Sequence, residues 1–298
     1  MSKTTTIKSL KKKKHERASE SVFLWVFFVI FCIYGLSLFF PVGWAFINSL
    51  KTSDAFYENS FAFPQFAAMQ WKNYKNAFTD ITFNSTNFIG MTFNSLWMTS
   101  LCVLVNVACS TLTAYALAKY RFPCRGLIYS IAIIVQVIPI IGTGGARYKF
   151  MYNIGMINNP LTIWVSWAGG FDFAFIVLFG YFKSISGFYA EAASIDGASE
   201  WTVMTRVMLP QALPAIGSLL IINFISTWND YTMPLIYMRN YPTLALGIYS
   251  FRTSSTFSSN ATPTYFAAIL LSMLPVLILF CFTQKQIMTN VTAGGLKG

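Results

Sequence analysis

Charged side chains are scarce in this sequence of 298 residues. Only 10% of the residues are Asp, Glu, Lys or Arg, whereas a soluble domain carries about 25%. The scarcity comes from runs with no charge at all, at residues 21–50, 81–118, 126–146, 150–171, 207–229 and 253–284. Because a membrane-spanning helix needs about 20 mostly apolar residues, each run is long enough for one such helix.

These runs predict an all-α integral membrane protein. We expect six transmembrane helices, near residues 22–48, 92–118, 126–146, 160–182, 213–236 and 264–284. The apolar part of the first run is longer than the roughly 7–15 residues of a signal-peptide core, and no A-x-A-like site follows it. We therefore interpret the first run as a signal anchor that stays in the protein.

Histidine is nearly absent, and the positions of the cysteines do not suit a metal site or a set of disulfides. His15 is the only histidine, and the five cysteines fall in predicted spans or in a short cytoplasmic loop. This set offers neither a zinc site nor a disulfide framework. The sequence also has no G-x-x-x-x-G-K-[ST] phosphate loop and no G-x-S-x-G elbow. We therefore expect no catalysis, metal or cofactor in this chain, which leaves binding, conduction or transport.

Basic residues predict the orientation in the membrane. Seven Lys and Arg lie in the tail at residues 1–20, directly before the first span. Because Lys and Arg favour the cytoplasmic side, we place both termini in the cytoplasm. Of the 21 Lys and Arg, 14 then lie inside and 7 outside. A basic tail beside a membrane helix accounts for the net charge of +11 without a nucleic-acid partner.

The transmembrane domain covers residues 21–298. Within it, the predicted topology places residues 51–91 and 237–263 outside the cell and makes residues 183–212 the longest cytoplasmic loop. That loop contains EAASIDGASEWTVMTRVMLP at residues 191–210, with four charged side chains. Such a segment is not placed in lipid, so we expect it to contact water or another protein.

Local features of this segment predict a helix–turn–helix hairpin. Residues 188–196 have helical character, and Gly197 can adopt the positive φ that ends a helix. Ser199 is a good N-cap for a second helix, whose apolar residues recur at helical spacing. We expect Leu209-Pro210 to end this second helix before the fifth span. From the residues alone, the hairpin either connects two spans or docks into another protein.

Polar side chains occur within the fourth and fifth predicted spans. Asp172 lies near the middle of the fourth, and Asn223, Trp228, Asn229 and Asp230 lie along the fifth. One interpretation is that they line a transport path and bind a hydroxyl-bearing solute by hydrogen bonds and stacking. The other is that Asp172 and Asn223 bond neighbouring helices and that Trp228 lies at the membrane interface.

A stripe of small side chains follows the second predicted span. Asn106, Ser110, Ala114 and Ala118 recur at every fourth residue. Such stripes let membrane helices approach closely. We expect this face to pack against another helix, with path lining as the alternative.

The hairpin segment resembles the EAA loop of ABC-importer permeases. That pattern is E-A-A, three residues, G, nine residues, then I-x-L-P. The matching residues here are Glu191, Ala192, Ala193, Gly197, Leu209 and Pro210, with Val207 in place of the usual isoleucine. WNDYTMPL at residues 228–235 is similar to a stretch of the carbohydrate-uptake branch, and residues 71–78 resemble an outer element of that branch. The chain thus resembles permeases of the maltose-type, carbohydrate-uptake family.

The resemblance implies a type I ABC-importer permease fold in the cytoplasmic membrane of a bacterium or archaeon. It implies a heterodimer with a second permease, two ATPase subunits that bind ATP and Mg, and an extracytoplasmic sugar-binding protein. The cargo would be an oligosaccharide or glycoside, moved by alternating access. The residues implied in coupling to the ATPase are Glu191, Ala192, Ala193, Asp196, Gly197, Val207, Leu209 and Pro210.

Other functions remain open at this point. One is a permease for a different solute in the same superfamily. Another is a stand-alone secondary transporter with Asp172 as its proton carrier, against which the hairpin and the missing internal repeat both count. An integral-membrane enzyme is the third, and the sequence offers it no catalytic constellation.

Overall fold

The computed structural model describes residues 3–138, 142–254 and 261–295, and every regular element in these ranges is helical. The helices are α1 (Lys3–Ser49), α2 (Ser53–Glu58), α3 (Lys72–Asp80), α4 (Phe88–Lys119), α5 (Arg125–Val137), α6 (Gly144–Asn153), α7 (Phe173–Ser184), α8 (Phe188–Ile195), α9 (Glu200–Trp228), α10 (Thr232–Tyr237), α11 (Leu244–Thr253) and α12 (Thr262–Gly295). Short 3₁₀ helices cover Phe66–Ala68 and Ile163–Trp167. The all-α fold class is confirmed for the described residues.

The described residues form two compact units. The first contains residues 3–73 and 261–270. The second contains residues 74–254, without 139–141, and residues 271–295. The hairpin and all the polar residues predicted to lie in spans belong to the second unit.

Four helices in the described ranges are long and apolar enough to cross a membrane. They are Phe23–Ser49 within α1, Phe88–Lys119, Glu200–Trp228 and Thr262–Gln284 within α12. The count rises to five if α7 and α8, which meet at a bend of 68°, form one broken span. The predicted spans at 22–48, 92–118 and 264–284 agree with these helices, and four or five of the six predicted transmembrane helices are matched in the described ranges.

The predicted third span, 126–146, is only partly helical. Its helix α5 has 13 residues, fewer than the roughly 20 that cross a bilayer. Gly142 follows with a φ of +91°, a conformation that a continuing α-helix cannot hold. Residues 139–141 of this predicted span lie outside the described residues.

The predicted helix at 160–182 is wrong in its first half. A 3₁₀ helix covers Ile163–Trp167, Gly170 has a φ of +71°, and α7 begins only at Phe173. Asp172 is the N-cap of α7 and accepts a hydrogen bond from the N–H of Phe175 at 3.0 Å. A left-handed glycine and a capping aspartate therefore set the start of this helix, although the preceding residues are apolar enough for a span.

The expectation that Leu209-Pro210 ends a separate helix is also wrong. Helix α9 continues through these residues and ends at Trp228. The predicted span extended eight residues further, to residue 236. Just before Pro210, residues Val203–Met208 are π-helical. A proline ring crowds the carbonyl four residues earlier in an α-helix, and the wider π turn relieves this crowding. The side chain of Gln211 donates to the carbonyl of Val207 at 2.8 Å, which satisfies an acceptor at this junction.

The core of the second unit forms where α4, α7 and α9 pack together. Its buried side chains include Val107, Ala114 and Tyr115 of α4, Phe175, Leu178 and Phe182 of α7, and Met204, Met208 and Ala212 of α9. Phe175, Phe182 and Met208 are completely buried. The π-helical segment of α9 is thereby packed against two other helices by its own side chains.

Two phenylalanines on α7 provide a matched test of this core. Phe175 is completely buried, whereas Phe173 exposes 62% of its surface. We expect Phe175→Ala to destabilise the protein by about 3–5 kcal/mol and Phe173→Ala by about 0.5 kcal/mol or less. Thermal unfolding of the purified protein in detergent measures both. Equal shifts for the two variants would contradict this packing.

Candidate functional site: the hairpin and nearby polar residues

A tight turn separates the two arms of the hairpin, α8 and the start of α9. Gly197 has a φ of +83°, in the left-handed region. Its N–H donates to the carbonyl of Ser194 at 3.1 Å, and the N–H of Ala198 donates to that of Ala193 at 3.0 Å. These two bonds form the Schellman motif that ends many helices. The predicted end of the first arm at Gly197 is confirmed.

Ser199 begins the second arm as its N-cap. Its Oγ accepts a hydrogen bond from the N–H of Thr202 at 3.3 Å. Glu200 follows in the first turn, where the positive end of a helix favours a carboxylate. The predicted N-cap is confirmed, and both sides of the turn are fixed by bonds between close neighbours in the sequence.

The inner face of the hairpin packs on the core of the second unit. Its buried side chains are Val203, Met204 and Met208, and the half-buried side chains packed with them include Ala190, Ala193 and Ala198. Separating the hairpin from α4 and α7 would expose this apolar surface to water, which costs free energy. The two arms and the adjoining helices should therefore move together.

The outer face of the hairpin is open. Phe188, Ile195 and Trp201 expose 71%, 86% and 68% of their surfaces. The carboxylates of Glu191 and Asp196 are also exposed. This face combines large apolar side chains with negative charge, and exposed apolar surface of this kind is typical of a contact with another protein.

Two hydrogen bonds tie the hairpin to the end of α4. Lys119 Nζ donates to the carbonyl of Ile185 at 2.6 Å, directly after α7 has ended. The hydroxyl of Tyr120 donates to Glu200 Oε2 at 3.1 Å. Burial, together with the bond to Glu200 and its charge, raises the pKa of Tyr120, so the phenol keeps the proton that it donates. Neither contact could be predicted from the motif, because Lys119 and Tyr120 lie outside the EAA segment.

Asp172 joins two helices. Its Oδ1 accepts hydrogen bonds from Ser110 Oγ of α4 at 2.8 Å and from the N–H of Phe175 at 3.0 Å. The side chain is half-buried. This geometry matches the helix-bonding interpretation of Asp172, while its role in a transport path stays a prediction.

The small-residue stripe on α4 faces the segment that precedes α7. Ser110 and Ala114 are completely buried. Ser110 bonds Asp172, and Asn106 Nδ2 donates to the carbonyl of Trp167 at 3.3 Å. The stripe therefore serves helix packing, as predicted.

The other predicted path residues lie near the end of α9. Trp228 is buried, and its Nε1 donates to the carbonyl of Ser272 at 3.2 Å. Asn229 is exposed and bonds its own helix. Asp230 Oδ1 accepts from two backbone N–H groups at the start of α10, at 2.8 and 3.2 Å. Asn223 is half-buried, more than one turn before Trp228.

Asp230 also borders a small enclosed cavity, of about 10 Å³, whose lining includes Cys102, Trp167 and Thr227. Such a volume holds about one water molecule. A wider apolar groove of about 330 Å³, bordered by Leu104, Gly217 and Leu279, is open to the outside. Neither space encloses a sugar. No group of His, Cys, Asp and Glu suited to a metal ion occurs in the part of the chain that the structure describes.

Four helices long and apolar enough to cross a membrane, one of which begins in a hairpin with an open outer face, define an integral membrane protein. The family described as "binding-protein-dependent transport system inner membrane component" matches residues 60–289. The chain belongs to this family, the permease component of ABC importers. In these importers separate ATPase subunits hydrolyse ATP, so this chain is not itself an enzyme.

Relatives and solved structures agree with the family. The chain is 27% identical to the diacetylchitobiose uptake system permease of Streptomyces coelicolor, over 93% of this chain and 90% of that protein. It is 29% identical to the trehalose/maltose transport system permease of Thermococcus litoralis, over 76% of this chain and 81% of that protein. A chain of a bacterial ABC transporter that imports the acidic polysaccharide alginate has a TM-score of 0.73 at 23% identity, with 90% of this chain and 97% of that chain covered. This last likeness establishes an ABC-importer permease fold.

The capping geometry at Asp172 gives a prediction with a matched control. Asp172→Ala removes the acceptor of both hydrogen bonds and should cost about 0.5–2 kcal/mol of stability. Asp172→Asn keeps an acceptor oxygen and should cost less. Thermal unfolding of the purified complex compares the two variants, and an alanine variant as stable as the native protein would contradict the capping role.

Unchanged uptake by Asp172→Asn would leave Asp172 without a path role, whereas lost uptake at full stability would support one.

Proposed function

We propose that this chain is one of two permease subunits in an ATP-driven importer of a carbohydrate, an oligosaccharide or a glycoside. The relatives named above are permeases for diacetylchitobiose and for trehalose or maltose, which are short sugars. A third relative, from Escherichia coli, is a permease for maltose and maltodextrin; it is 28% identical over 69% of this chain and 71% of its own length. These cargoes support a carbohydrate over another solute.

The hairpin transmits the movement of the ATPase pair to the membrane helices. The observation that carries this proposal is the continuity of α9 from Glu200 to Trp228. Because the second arm and the membrane span are one helix, a force on the hairpin reaches the span without passing through a flexible loop. ATP binding would favour one packing of the two permeases and hydrolysis the other, which is alternating access.

The residues of the first arm would form the contact with the ATPase. Glu191 is exposed and would meet a basic group there, while Ala192 keeps its side of the helix shallow enough for close approach. Ala193 packs on the core, so its part in coupling would be to hold the arm against α4 and α7. Asp196 adds a second exposed carboxylate at the C-cap. Gly197 holds the turn that presents this arm.

Val207, Leu209 and Pro210 would act at the junction between the hairpin and the span. Val207 lies in the π-helical segment, and Leu209 begins the α-helical part of the span. π-Helical segments are frequent at functional sites. We infer that this junction sets the angle between the second arm and the span.

The membrane topology belongs to the proposal as well. Both termini would lie in the cytoplasm, with the basic tail beside the inner leaflet. The regions at 126–146 and 160–182 would each cross the membrane as broken spans, which brings the total to six. Partners would be a second permease, two ATPases that bind ATP and Mg, and an extracytoplasmic sugar-binding protein.

The sugar path would lie between the two permeases. The cavity near Asp230 is too small for a sugar, and the larger groove is open to the outside, so a second subunit would be needed to close the path. Asp172, Asn223, Trp228, Asn229 and Asp230 remain the candidates on this chain. Four of these already have hydrogen-bond partners in the protein, namely Asp172, Trp228, Asn229 and Asp230. Their part in the path would require them to exchange these bonds for bonds to sugar.

Gly197 allows a direct test of coupling. A Cβ added at Gly197 would meet no atom within 4 Å, so a substitution there acts through the backbone alone. A β-branched residue is strongly disfavoured at a φ of +83°, whereas asparagine tolerates this region. We expect Gly197→Val to leave membrane insertion intact and to lower sugar uptake relative to ATP hydrolysis. Gly197→Asn should keep the ratio near that of the native protein.

Uptake and ATPase rates in reconstituted vesicles measure this ratio. Native coupling in Gly197→Val would contradict the proposed role of the turn. Equal losses in the Val and Asn variants would contradict the backbone explanation.

The function as a whole is tested by purifying the intact complex and screening sugars against its co-purified binding protein. We expect ATPase subunits in the complex and uptake that requires ATP. Uptake driven by a proton gradient through this chain alone would favour a secondary transporter instead. A binding protein that binds only non-carbohydrate solutes would indicate a permease of the same family that imports a different solute.

A further inference from the structure

A loop in the first unit exposes an unusual number of large aromatic side chains. Residues 59–71, NSFAFPQFAAMQW, contain no charged side chain. Phe61, Phe63 and Phe66 expose 70%, 79% and 90% of their surfaces. Three phenylalanine rings held this far out of the protein would be costly in water, because apolar surface is favoured where water is excluded.

Both ends of this loop are fixed to the two residues that follow α1, Leu50 and Lys51. Lys51 Nζ donates to the carbonyl of Asn59 at 2.9 Å. The N–H of Gln70 donates to the carbonyl of Leu50 at 2.8 Å. The loop therefore leaves and returns at the level of residues 50 and 51.

Between these two points the loop descends along α1. The ring of Phe61 stacks on that of Phe40, with centroids 6.5 Å apart and an interplanar angle of 20°. It also lies 6.3 Å from the ring of Trp44. Since Phe40 and Trp44 precede Ser49 along the span, the ring of Phe61 lies on the membrane side of the point where the loop begins.

The depth of Phe40 follows from helix geometry. Nine residues separate Phe40 from Ser49, which at a rise of 1.5 Å places Phe40 about 13 Å below the end of the span. The span has 27 residues, or about 40 Å, which exceeds the hydrocarbon thickness of about 30 Å by about 10 Å. Even if all of this excess lay at the Ser49 end, Phe40 would remain inside the hydrocarbon region. Phe61, which contacts it, therefore lies at the edge of that region.

Part of the backbone of the loop has hydrogen-bond partners within the protein. Asn59 Oδ1 accepts from the N–H groups of Phe61 and Ala62 at 2.9 and 3.1 Å. The N–H of Ala68 donates to the carbonyl of Gln65 at 2.9 Å, and Gln70 Nε2 donates to the carbonyl of Ala68 at 2.9 Å. Backbone groups at membrane depth need such partners because lipid supplies none.

We propose that residues 59–70 form a membrane anchor, which inserts Phe61, Phe63 and Phe66 among the phospholipids of the leaflet at the Ser49 end of α1. Under the proposed topology this is the outer leaflet. The occupant of the exposed aromatic face is lipid and not a partner protein, because the face continues the exposed surface of the span and carries no charge. The anchor fixes the depth of the first unit in the bilayer.

Photo-crosslinking in the intact complex tests this proposal. The photoreactive amino acid p-benzoylphenylalanine replaces one residue at a time, and the complex is reconstituted in nanodiscs of phosphatidylethanolamine and phosphatidylglycerol. The test positions are Phe63 and Phe66. The lipid control is Phe39, which lies in the span and is 75% exposed, and the water control is the exposed Glu58 just before the loop. At the test positions the photoreactive residue replaces another aromatic residue, which keeps the disturbance of the fold small.

We expect lipid adducts by mass spectrometry at positions 63 and 66, in yields comparable to position 39 and well above position 58. Adducts to the binding protein or the second permease, or yields at 63 and 66 as low as at 58, would overturn the proposal. Lipid adducts at position 39 show that the span is in the bilayer whether or not the complex imports sugar. A failure of the anchor is thereby distinguished from a failure of the proposed function.

Discussion

The packing of the π-helical segment of α9 against α4 and α7 is the constraint on which the candidate site depends. Met204 and Met208 bury their side chains in the same core as Phe182. This places the hairpin, the end of α4 and α7 in one apolar cluster. The bonds from Lys119 to Ile185 and from Tyr120 to Glu200 add directional contacts at its edge. A hairpin held in this way can transmit displacement, whereas a surface loop could not.

Features with short-range causes could be predicted from the sequence. Gly197 ends α8, and Ser199 caps the following helix, because each needs only its immediate neighbours to take up its conformation. Long charge-free runs likewise predicted the helices around 22–48, 92–118 and 264–284, since the bilayer sets a length that composition alone can meet. The EAA resemblance placed the chain in the family that its match over residues 60–289 shows.

The remaining features depend on contacts between distant residues. The apolar composition of 160–182 predicted one helix, but Gly170 and Asp172 delay the start of the helix until Phe173. The hydrogen-bond partner of Asp172 is Ser110, which lies on another helix. Proline at 210 predicted a helix end, because proline is normally a helix breaker. The π-helical segment that accommodates it has no comparable sequence pattern. Lys119 and Tyr120 form their hydrogen bonds to Ile185 and Glu200 because the fold places the end of α4 beside the hairpin.

The central claim is that the outer face of the hairpin docks on an ATPase in the cytoplasm. Photo-crosslinking from position 191 or 195 in native membrane vesicles, with the cross-linked protein identified by mass spectrometry, tests it most directly. The account predicts adducts to an ATPase subunit whose yield changes when ATP is added. Adducts to an extracytoplasmic protein, or none to any ATPase while the complex imports its cargo, would contradict it.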